Sequence, residues 1–212
     1  LDGGRYLLDS GLSEKEQSRT AVGLDIVRQM VDRIRDIVLN ILYYAKDRAL
    51  DWKRINARQF AEDLVAMVQS RFQNQPIEFE QIIKTSLGDF EVDVAVATTA
   101  LTNIIENAIE ACIDDPSGKS HRIIFGVDQD QENIIFDIRD NGIGMDDEIR
   151  DNIFNLFYSS KGKKGTGLGL FITRNIIQQH GGTIEVDSTL GQGTHFRVIM
   201  PKILPQEAKE TK

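Results

Sequence analysis

Two asparagines stand one helical turn apart in the stretch LTNIIENAIEAC, at Asn103 and Asn107. Asparagine is a poor helix former because its short amide competes for backbone hydrogen bonds. The apolar residues around the pair nevertheless follow a helical period and form one stripe: Leu101, Ile104, Ile105, Ala108 and Cys112. The two asparagines are therefore either inexpensive surface residues or a pair of amide oxygens directed at a ligand, and this stretch by itself favours neither.

Four glycine-bearing signals follow, each at the end of an expected strand or helix. They are DNGIGM (140–145), GTGLGL (165–170), HGG (180–182) and GQGT (191–194). Glycines that precede a helix let bare backbone N–H groups approach a phosphate, where the helix dipole also favours negative charge. GTGLGL is therefore a candidate phosphate-binding segment. It is not a Walker P-loop, because no G-K-S/T follows, and it does not open a βαβ unit as the Rossmann motif does.

The segment DDEIRDNIFNLFYSSKGKKG (146–165) connects two of these signals and carries Phe154, Phe157 and three lysines, Lys161, Lys163 and Lys164. A segment with glycines at both ends, aromatic anchors and positive charge is typical of a mobile lid over an anionic ligand. The alternative is a solvated lysine cluster in a surface loop. Because glycine-bearing segments flank it on both sides, we favour the lid.

The composition is that of a globular protein without membrane-spanning segments. The 212 residues are 41% hydrophobic and 27% charged, and no apolar run approaches the roughly 20 residues that a membrane helix needs. The net charge of −8 argues against non-specific nucleic-acid binding. The single cysteine, Cys112, excludes an internal disulfide and suits a reducing cytosol. Its place on the apolar stripe favours a small core residue over a reactive thiol.

A long amphipathic helix is predicted over residues 13–47. Ser13 and Glu16 form a capping box, and apolar residues then recur in steps of three and four: Leu24, Val27, Val31, Ile34, Val38, Ile41 and Ala45. The wide stripe favours a helical hairpin that dimerises as a four-helix bundle. A long helix packed on its own domain is the alternative. We assign residues 1–55 to this region, with RALDWKRIN (48–56) as a linker.

Residues 56–204 predict an α+β domain in which helices and a mostly sequential sheet form a two-layer sandwich. Asn56 can cap one helix, and Asp93 can cap the helix of the two asparagines. The apolar face of the first helix is predicted to comprise Phe60, Leu64, Met67, Val68 and Phe72. A third helix is expected over 168–179. Strands are expected after Pro76 and at 122–127, 133–140, 183–188 and 194–200. The polar tail, residues 205–212, is expected to be frayed.

The ordered set NxxxN on a helix, DxGxGM, a phenylalanine-bearing segment, GTGLGL and GxGT resembles the ATP-binding domain of sensor histidine kinases. These kinases belong to the Bergerat superfamily, with gyrase, mismatch-repair ATPases and pyruvate dehydrogenase kinases. The resemblance covers about residues 56–202, and the helix at 13–47 resembles, less specifically, the second helix of the kinases' dimerisation and phosphotransfer hairpin. It implies a Bergerat fold that binds ATP and Mg²⁺.

The resemblance also implies a role for each motif residue. Asn107 would coordinate the Mg²⁺ that bridges the ATP phosphates, and Asn103 would assist directly or through water, since an amide oxygen is a neutral hard ligand. Asp140 would accept a hydrogen bond from the adenine amino group, and Thr194 would support the contacts on the adenine side. Phe154 and Phe157 would anchor the lid. The other implied ATP-binding residues are Gly142 and Gly144, which leave room for the base and hinge the lid, and Gly165, Thr166, Gly167, Leu168 and Gly169, which bind the phosphates.

One position separates a kinase from a hydrolase within the superfamily. The ATPases carry a glutamate at the position of Asn103, where it activates water, whereas here an amide has no basic pair to accept a proton. Glu106 lies roughly a hundred degrees round the helix from Asn107 and should not replace that base. We therefore expect ATP to be held for phosphoryl transfer, which needs positioning and charge neutralisation.

The sequence departs from the family pattern beside the metal asparagine. Many histidine kinases carry a lysine and an aromatic residue three and four positions after it, where this chain has Glu110 and Ala111. The phosphate contact of that lysine must come from elsewhere, and Lys161 in the lid is our candidate.

The phosphoacceptor histidine of the family is a second departure. It belongs on the first hairpin helix, but the three histidines here are His121, His180 and His195, all next to expected strands or a helix end. We expect them to serve local structure. We also expect that the acceptor and the first hairpin helix lie upstream of Leu1 in a parent protein. The chain would then carry no catalytic residue of its own and would bind Mg·ATP without autophosphorylating.

The function expected from the resemblance is the cytoplasmic, ATP-binding catalytic part of a sensor histidine kinase, and a membrane anchor elsewhere in the parent protein is left open. The γ-phosphate of ATP would pass to a histidine on the hairpin and then to an aspartate of a response regulator receiver domain. The N-terminal helices would form a homodimer, with neither nucleic acid nor membrane as a partner of this chain. A Bergerat-fold ATPase or a serine-acceptor kinase of the same superfamily is the alternative.

Overall fold

A computed structural model describes residue 31 and residues 50–73, 75–159 and 166–203. The chain divides into two units, Leu1–Lys46 and Asp47–Lys212, and the elements below belong to the second. The predicted helix at 13–47 (residue 31 excepted, which is helical), the hairpin and its dimer, and the tail at 205–212 lie outside the described residues. Within the described residues, no helix has both the length and the apolar character needed to cross a membrane.

Seven strands and four helices make up the described part of the second unit. The strands are β1 (Lys53–Asn56), β2 (Ile77–Ile83), β3 (Asp89–Val92), β4 (His121–Gln129), β5 (Asn133–Asp140), β6 (Thr183–Thr189) and β7 (Gly193–Pro201). The helices are α1 (Ala57–Val68), α2 (Val94–Ile113), α3 (Asp147–Asn152) and α4 (Gly169–Gln179), and a single 3-10 turn, Gln69–Arg71, follows α1.

Five strands form the main sheet in the order β2-β4-β5-β7-β6. The pair β2 and β4 is parallel, and the other three pairs are antiparallel. Along β5 the side chains alternate, so that Ile134, Phe136 and Ile138 are fully buried while Asp137 and Arg139 face away from the core. One face of the sheet is therefore packed and the other solvated, which confirms the predicted α+β two-layer sandwich.

The core lies between this sheet and the helices. The apolar stripe of α2 is buried over its whole length, as predicted: Leu101, Ile104, Ile105, Ala108 and Cys112. Burial raises the pKa of the Cys112 thiol to about 12, which confirms a core residue and not a reactive one. At the other end of the core, Phe60 of α1 contacts the ring of Phe136 edge-on at 5.8 Å between centroids.

The helix caps predicted at Asn56 and Asp93 are present in the structure, and the capping box predicted at Ser13 lies outside the described residues. The side chain of Asn56 accepts hydrogen bonds from the backbone N–H groups of Arg58 and Gln59 at the start of α1. Asp93 accepts from the N–H of Val96 at the start of α2. Both contacts satisfy donors that have no partner within the helix.

Two predictions around α1 are wrong. Residues 53–56, assigned to a linker, form β1, which pairs with β3 as an antiparallel two-stranded sheet. The pairing partner is more than thirty residues away, so a local pattern of charged residues could not reveal it. Met67, placed on the apolar face, is 57% exposed, and Phe72 is buried beyond the end of the helix.

Candidate functional site

A cavity of about 510 Å³ opens between α2, the N-terminus of α4 and the loops that follow β5 and β6. This volume is in the range of small-molecule sites. Eight residues predicted for the site line it: Asn103, Asn107, Asp140, Gly144, Thr166, Gly167, Gly169 and Thr194. Other lining residues, which the sequence did not single out for the site, include Ile143, Met145, Tyr158, Ser159 and Leu190. We call the part around Asn103, Asn107 and Gly169 the Asn107 end and the part around Asp140, Ile143 and Thr194 the Asp140 end.

The amide nitrogens of both asparagines are used by the fold. The Nδ2 of Asn103 donates to the hydroxyl of Thr173 on α4 at 2.9 Å, and Thr173 is completely buried. The Nδ2 of Asn107 donates to the backbone carbonyl of Asn103 at 2.8 Å. These hydrogen bonds fix the plane of each amide, so that its Oδ1 atom points away from the partner of Nδ2. Thr173 was missed, because nothing local in the sequence links it to a residue seventy positions earlier.

The donor set at the Asn107 end suits a hard divalent cation that arrives with its own anion. Among the described residues, no group of three or more His, Cys, Asp or Glu side chains is placed to hold a metal. Amide oxygens are neutral ligands, and Mg²⁺ is commonly held by few protein ligands together with substrate phosphates. Asn103 and Asn107 therefore fit Mg²⁺ only as part of a complex with phosphate.

The glycine that begins α4 is required by the asparagine beside it. A Cβ at Gly169 would lie 2.6 Å from Oδ1 of Asn103, which is far inside van der Waals contact. The helix N-terminus, with its unsatisfied N–H groups, is thereby brought against the Asn107 end. Thr166 accepts a hydrogen bond from the N–H of Leu168 at 3.4 Å, and the Leu168 side chain is buried and does not line the cavity.

Asp140 ends β5 and is the half-buried acidic group of the Asp140 end. Burial raises the pKa of its carboxyl to about 6, although backbone N–H groups of Gly142 and Thr194 donate to it and act in the opposite direction. The N–H of Gly142 lies 2.9 Å from Oδ1. A partly buried carboxylate at a cavity wall accepts a hydrogen bond from an amino group strongly, because less water competes there than at the surface.

Thr194 belongs to a hydroxyl pair that the sequence did not predict. Its Oγ1 lies 3.0 Å from Oγ of Ser188, which also donates to the carbonyl of Gly193 at 3.0 Å. Ser188 in turn accepts from the N–H of Met145 at 2.9 Å. Ser188 is buried at the inward position of β6, and that alternation was the one signal available for it. The pair ties Thr194 to the loop after Asp140.

The glycines of the DNGIGM loop serve close backbone packing. A Cβ at Gly142 would lie 2.5 Å from the backbone carbon of Ala111 at the end of α2, and Gly142 does not line the cavity. Gly144 has φ of +66°, and a Cβ there would overlap the carbonyl of Thr189. The loop is therefore pressed between α2 and the turn after β6.

The segment predicted as a lid is described only up to residue 159. Phe154 packs on the core, and the guanidinium of Arg174 lies 5.5 Å from the centre of its ring, which agrees with an anchoring role. Phe157, the second predicted anchor, is 58% exposed, so that prediction is wrong for its ring. Its backbone instead contacts Gly167, whose carbonyl accepts the Phe157 N–H at 3.0 Å. Lys161, Lys163, Lys164 and Gly165 lie outside the described residues.

Glu106, the residue next to Asn107, is directed elsewhere, as its angle on the helix predicted. Its carboxylate forms an ion pair with Arg71 after α1, and it does not line the cavity. Glu110 and Ala111, the two departures from the family pattern, do line it.

Two of the histidines have the local structural roles that were expected. His180 is buried, its Nε2 accepts the N–H of Asp93 at 3.1 Å, and burial lowers the pKa of its imidazole, so the ring is neutral. The Nε2 of His195 lies 2.6 Å from Asp137 on the solvated face of the sheet. His121 begins β4, and neither it nor the other two line the cavity.

Comparison with known proteins gives a matching family and a curated relative at 30% identity. The family model described as histidine kinase-, DNA gyrase B-, and HSP90-like ATPase matches residues 93–204, more than half of the chain. The signal transduction histidine-protein kinase AtoS of Escherichia coli (strain K12) is 30% identical over 183 residues. That match covers 86% of this chain and 29% of AtoS, so the chain spans less than a third of this relative.

Two solved structures show the same fold at lower identity. Histidine kinase ThkA in complex with response regulator protein TrrA superposes with a TM-score of 0.71 at 23% identity, covering 95% of this chain and 56% of that one. Full-length ShkA in complex with AMPPNP superposes with a TM-score of 0.71 at 19% identity, covering 93% of this chain and 41% of that one.

Proposed function

The chain belongs to the family of histidine kinase-, DNA gyrase B- and HSP90-like ATPases, and from that premise we propose that it is the ATP-binding catalytic part of a sensor histidine kinase. Its role is to hold Mg·ATP while a histidine of the dimerisation hairpin accepts the γ-phosphate. The observation that carries the proposal is the amide at Asn103, held by Thr173 at a position where a hydrolase of the superfamily has a carboxylate.

The Asp140 end would select the base. Adenine presents an exocyclic amino group, and the ionised carboxylate of Asp140 accepts its hydrogen bond. Guanine presents a carbonyl at that place, which would meet the carboxylate as a second acceptor and leave it unpaired. Thr194 and Ser188 support this end through their hydroxyl pair. Loss of a buried polar contact is a strong basis for discrimination.

The Asn107 end would hold the triphosphate. Asn107, with Asn103 assisting, would ligate Mg²⁺, which neutralises charge on the transferring phosphoryl group. Backbone N–H groups of the Gly165–Gly169 segment would bind the phosphates at the N-terminus of α4. Lys161 would add a positive charge from the lid.

Hydrolysis of ATP would be slow because Asn103 cannot activate a water molecule. An amide cannot accept the proton of an attacking water, and the carboxylate of Glu106 is paired with Arg71 away from the cavity. Bound ATP would therefore survive until an external nucleophile arrives.

The wider arrangement follows the relatives. Residues 1–55 would form the partial dimerisation region, residues 56–204 the catalytic domain and residues 205–212 a tail. ThkA was solved with a response regulator and ShkA with an ATP analogue. We extend these partners to this chain: a homodimer through the N-terminal helices, a receiver domain as the final acceptor, and the cytoplasm as the place where ATP is available.

The proposal is tested by three measurements on the chain. Calorimetry should show Mg-dependent ATP binding that GTP does not match, and steady-state phosphate release should be slow. Label from γ-labelled ATP should pass to a separately supplied histidine-bearing dimerisation hairpin, and the Asp140→Ala variant should not support the transfer. Rapid phosphate release without transfer would favour a hydrolase, and absence of adenine-nucleotide binding would overturn the proposal.

A further inference from the structure

Lys119, in the loop that joins α2 to β4, contacts three separate acceptors. Its ammonium donates to the backbone carbonyls of Gly142 at 3.2 Å and Gly191 at 3.0 Å. It also lies 2.9 Å from the carboxylate of Asp115, one turn earlier in the same loop. The ammonium therefore donates two hydrogen bonds to backbone carbonyls and forms an ion pair with a carboxylate.

The two carbonyls belong to the loops that build the Asp140 end. Gly142 follows Asp140 in the first loop, and Gly191 lies in the turn between β6 and β7. The loops also bond to each other and to α2, because Gly191 N–H donates to Ile143 at 2.6 Å and Ile143 N–H donates to Ala111 at 3.0 Å. Lys119 is the cation at the point where these three segments meet.

Asp115 holds the ammonium in this position. Its side chain is only 5% exposed, against 31% for Lys119, and the N–H of Ser117 donates to its other oxygen at 2.9 Å. Hydrogen bonds from Lys119 and Ser117 lower the pKa of the Asp115 carboxyl to about 2, so this carboxyl is ionised throughout the physiological range.

We propose that Lys119 is a positioning residue for the nucleobase, which fixes the separation of the two loops at the Asp140 end without touching the ligand. It does not line the cavity, so its effect passes through the loops. This inference rests on the proposed function and deepens it. The charge of Lys119 also favours the ionised form of Asp140, which is the form that accepts a hydrogen bond from an amino group.

The position requires a cation and not merely a long side chain. The carbonyls of Gly142 and Gly191 both direct partial negative charge toward the same point, next to the carboxylate of Asp115. A methionine would fill the space of the aliphatic stem and leave all three acceptors without a donor. An arginine would restore charge and donors with a different shape.

The test compares Lys119→Met, Lys119→Arg and a matched control, Lys84→Met, which removes a lysine paired with Asp128 at 2.6 Å outside the cavity. Dissociation constants for ADP and GDP are measured by calorimetry from pH 5 to pH 8. In Lys119→Met we expect about tenfold weaker ADP binding, reduced preference over GDP and a higher pH midpoint of ADP binding, because several charge-assisted hydrogen bonds are lost. Lys119→Arg should recover most of the affinity, and Lys84→Met should match the wild type.

The outcomes separate this inference from the function it rests on. Failure of the wild type to bind ADP would overturn both. Wild-type binding with unchanged affinity, selectivity and pH midpoint in Lys119→Met would overturn only the inference, even if the melting temperature fell, because that pattern marks a purely structural residue. Should Lys119→Met not fold, Asp115→Asn decides: it releases the ammonium, and the same changes should appear at smaller size. Unchanged ADP binding in that variant would also overturn the inference.

Discussion

The two ends of the cavity are rigid for different reasons. At the Asp140 end, backbone segments press so closely that a Cβ at Gly142 or Gly144 would overlap a neighbouring main chain, and one half-buried carboxyl supplies the negative charge. At the Asn107 end, two neutral amides are held by hydrogen bonds that their own nitrogens donate. The first end selects a ligand by a fixed charge, and the second relies on charge that the ligand brings.

This contrast predicts the largest loss at Asp140. In Asp140→Ala we expect about 100-fold weaker ATP binding and loss of the preference for adenine over guanine, because the charged acceptor of the amino group is gone. Calorimetry with ATP and GTP measures both. Asp128→Ala, which removes an aspartate of the solvated pair with Lys84, is the control. ATP binding that survives intact would refute the assignment.

A smaller and different loss is expected at the Asn107 end. Asn107→Ala should weaken Mg·ATP binding about 30-fold while ADP binding without metal stays near the wild-type value, because Asn107 would contact the bound complex through the metal. Isothermal titrations with and without Mg²⁺ separate the two. Asn133→Ala is the control, since its amide donates to Asp130 at 3.1 Å at the start of β5 and it does not line the cavity. Equal losses with and without Mg²⁺ would contradict the metal role.

The contribution of the protein to the pH dependence of ADP binding should come from Asp140. The pKa of Asp140 is raised to about 6, and an amino group donates to the ionised form, so ADP affinity should be constant above about pH 7. Below pH 6 it should fall by up to about tenfold per pH unit as the carboxyl is protonated. Asp140→Asn keeps an acceptor oxygen and should remove this slope, whereas titration of the ADP phosphate is common to both proteins. An identical slope in both would place the titration on the ligand.

The raised pKa of Asp140 also has a consequence for folding. The native state binds this proton more tightly than the unfolded chain, whose carboxyl titrates near 3.8, so the contribution of Asp140 to the free energy of unfolding falls as the pH rises from about 4 to 6. The ionised carboxylate of Asp140 therefore destabilises the folded protein. Denaturant titrations of Asp140→Asn should show a smaller decrease in the free energy of unfolding between about pH 4 and pH 6 than the wild type shows.

The smallest effect is expected from the residue that orients Asn103. Thr173→Val removes the hydroxyl that accepts the amide at 2.9 Å and should weaken Mg·ATP binding about three- to fivefold. Thr99→Val is the matched control, because its hydroxyl donates to the carbonyl of Ala95 on the exposed side of α2. If Thr173→Val lost as much Mg·ATP affinity as Asn107→Ala, Asn103 would contribute as much to metal binding as Asn107, and its assisting role would be refuted.

Elements with a local signature were predictable from the sequence. The capping residues Asn56 and Asp93, the alternation of β5 and the stripe of α2 are each visible within about a dozen residues, and all are present. The cavity residues with glycine motifs were also found, because tight backbone approaches demand that residue type.

Features made by distant pairing were not predictable. The strands β1 and β3 pair across more than thirty residues, and Thr173, Ser188 and Lys119 act on segments that come near them only in the folded chain. Phe157 was misassigned because an aromatic side chain predicts burial, whereas here the backbone of that residue makes the contact and the ring is exposed.

The buried thiol of Cys112 is a built-in probe of local opening in the core. Cys112 is the one cysteine of the sequence, lies under the loop at Gly142 and has a thiol whose pKa is raised to about 12. Alkylating reagents can modify it only when α2 and that loop separate. The rate of modification therefore measures how often the core beneath the Asp140 end opens, and a cysteine introduced at an exposed position would be labelled against almost no background.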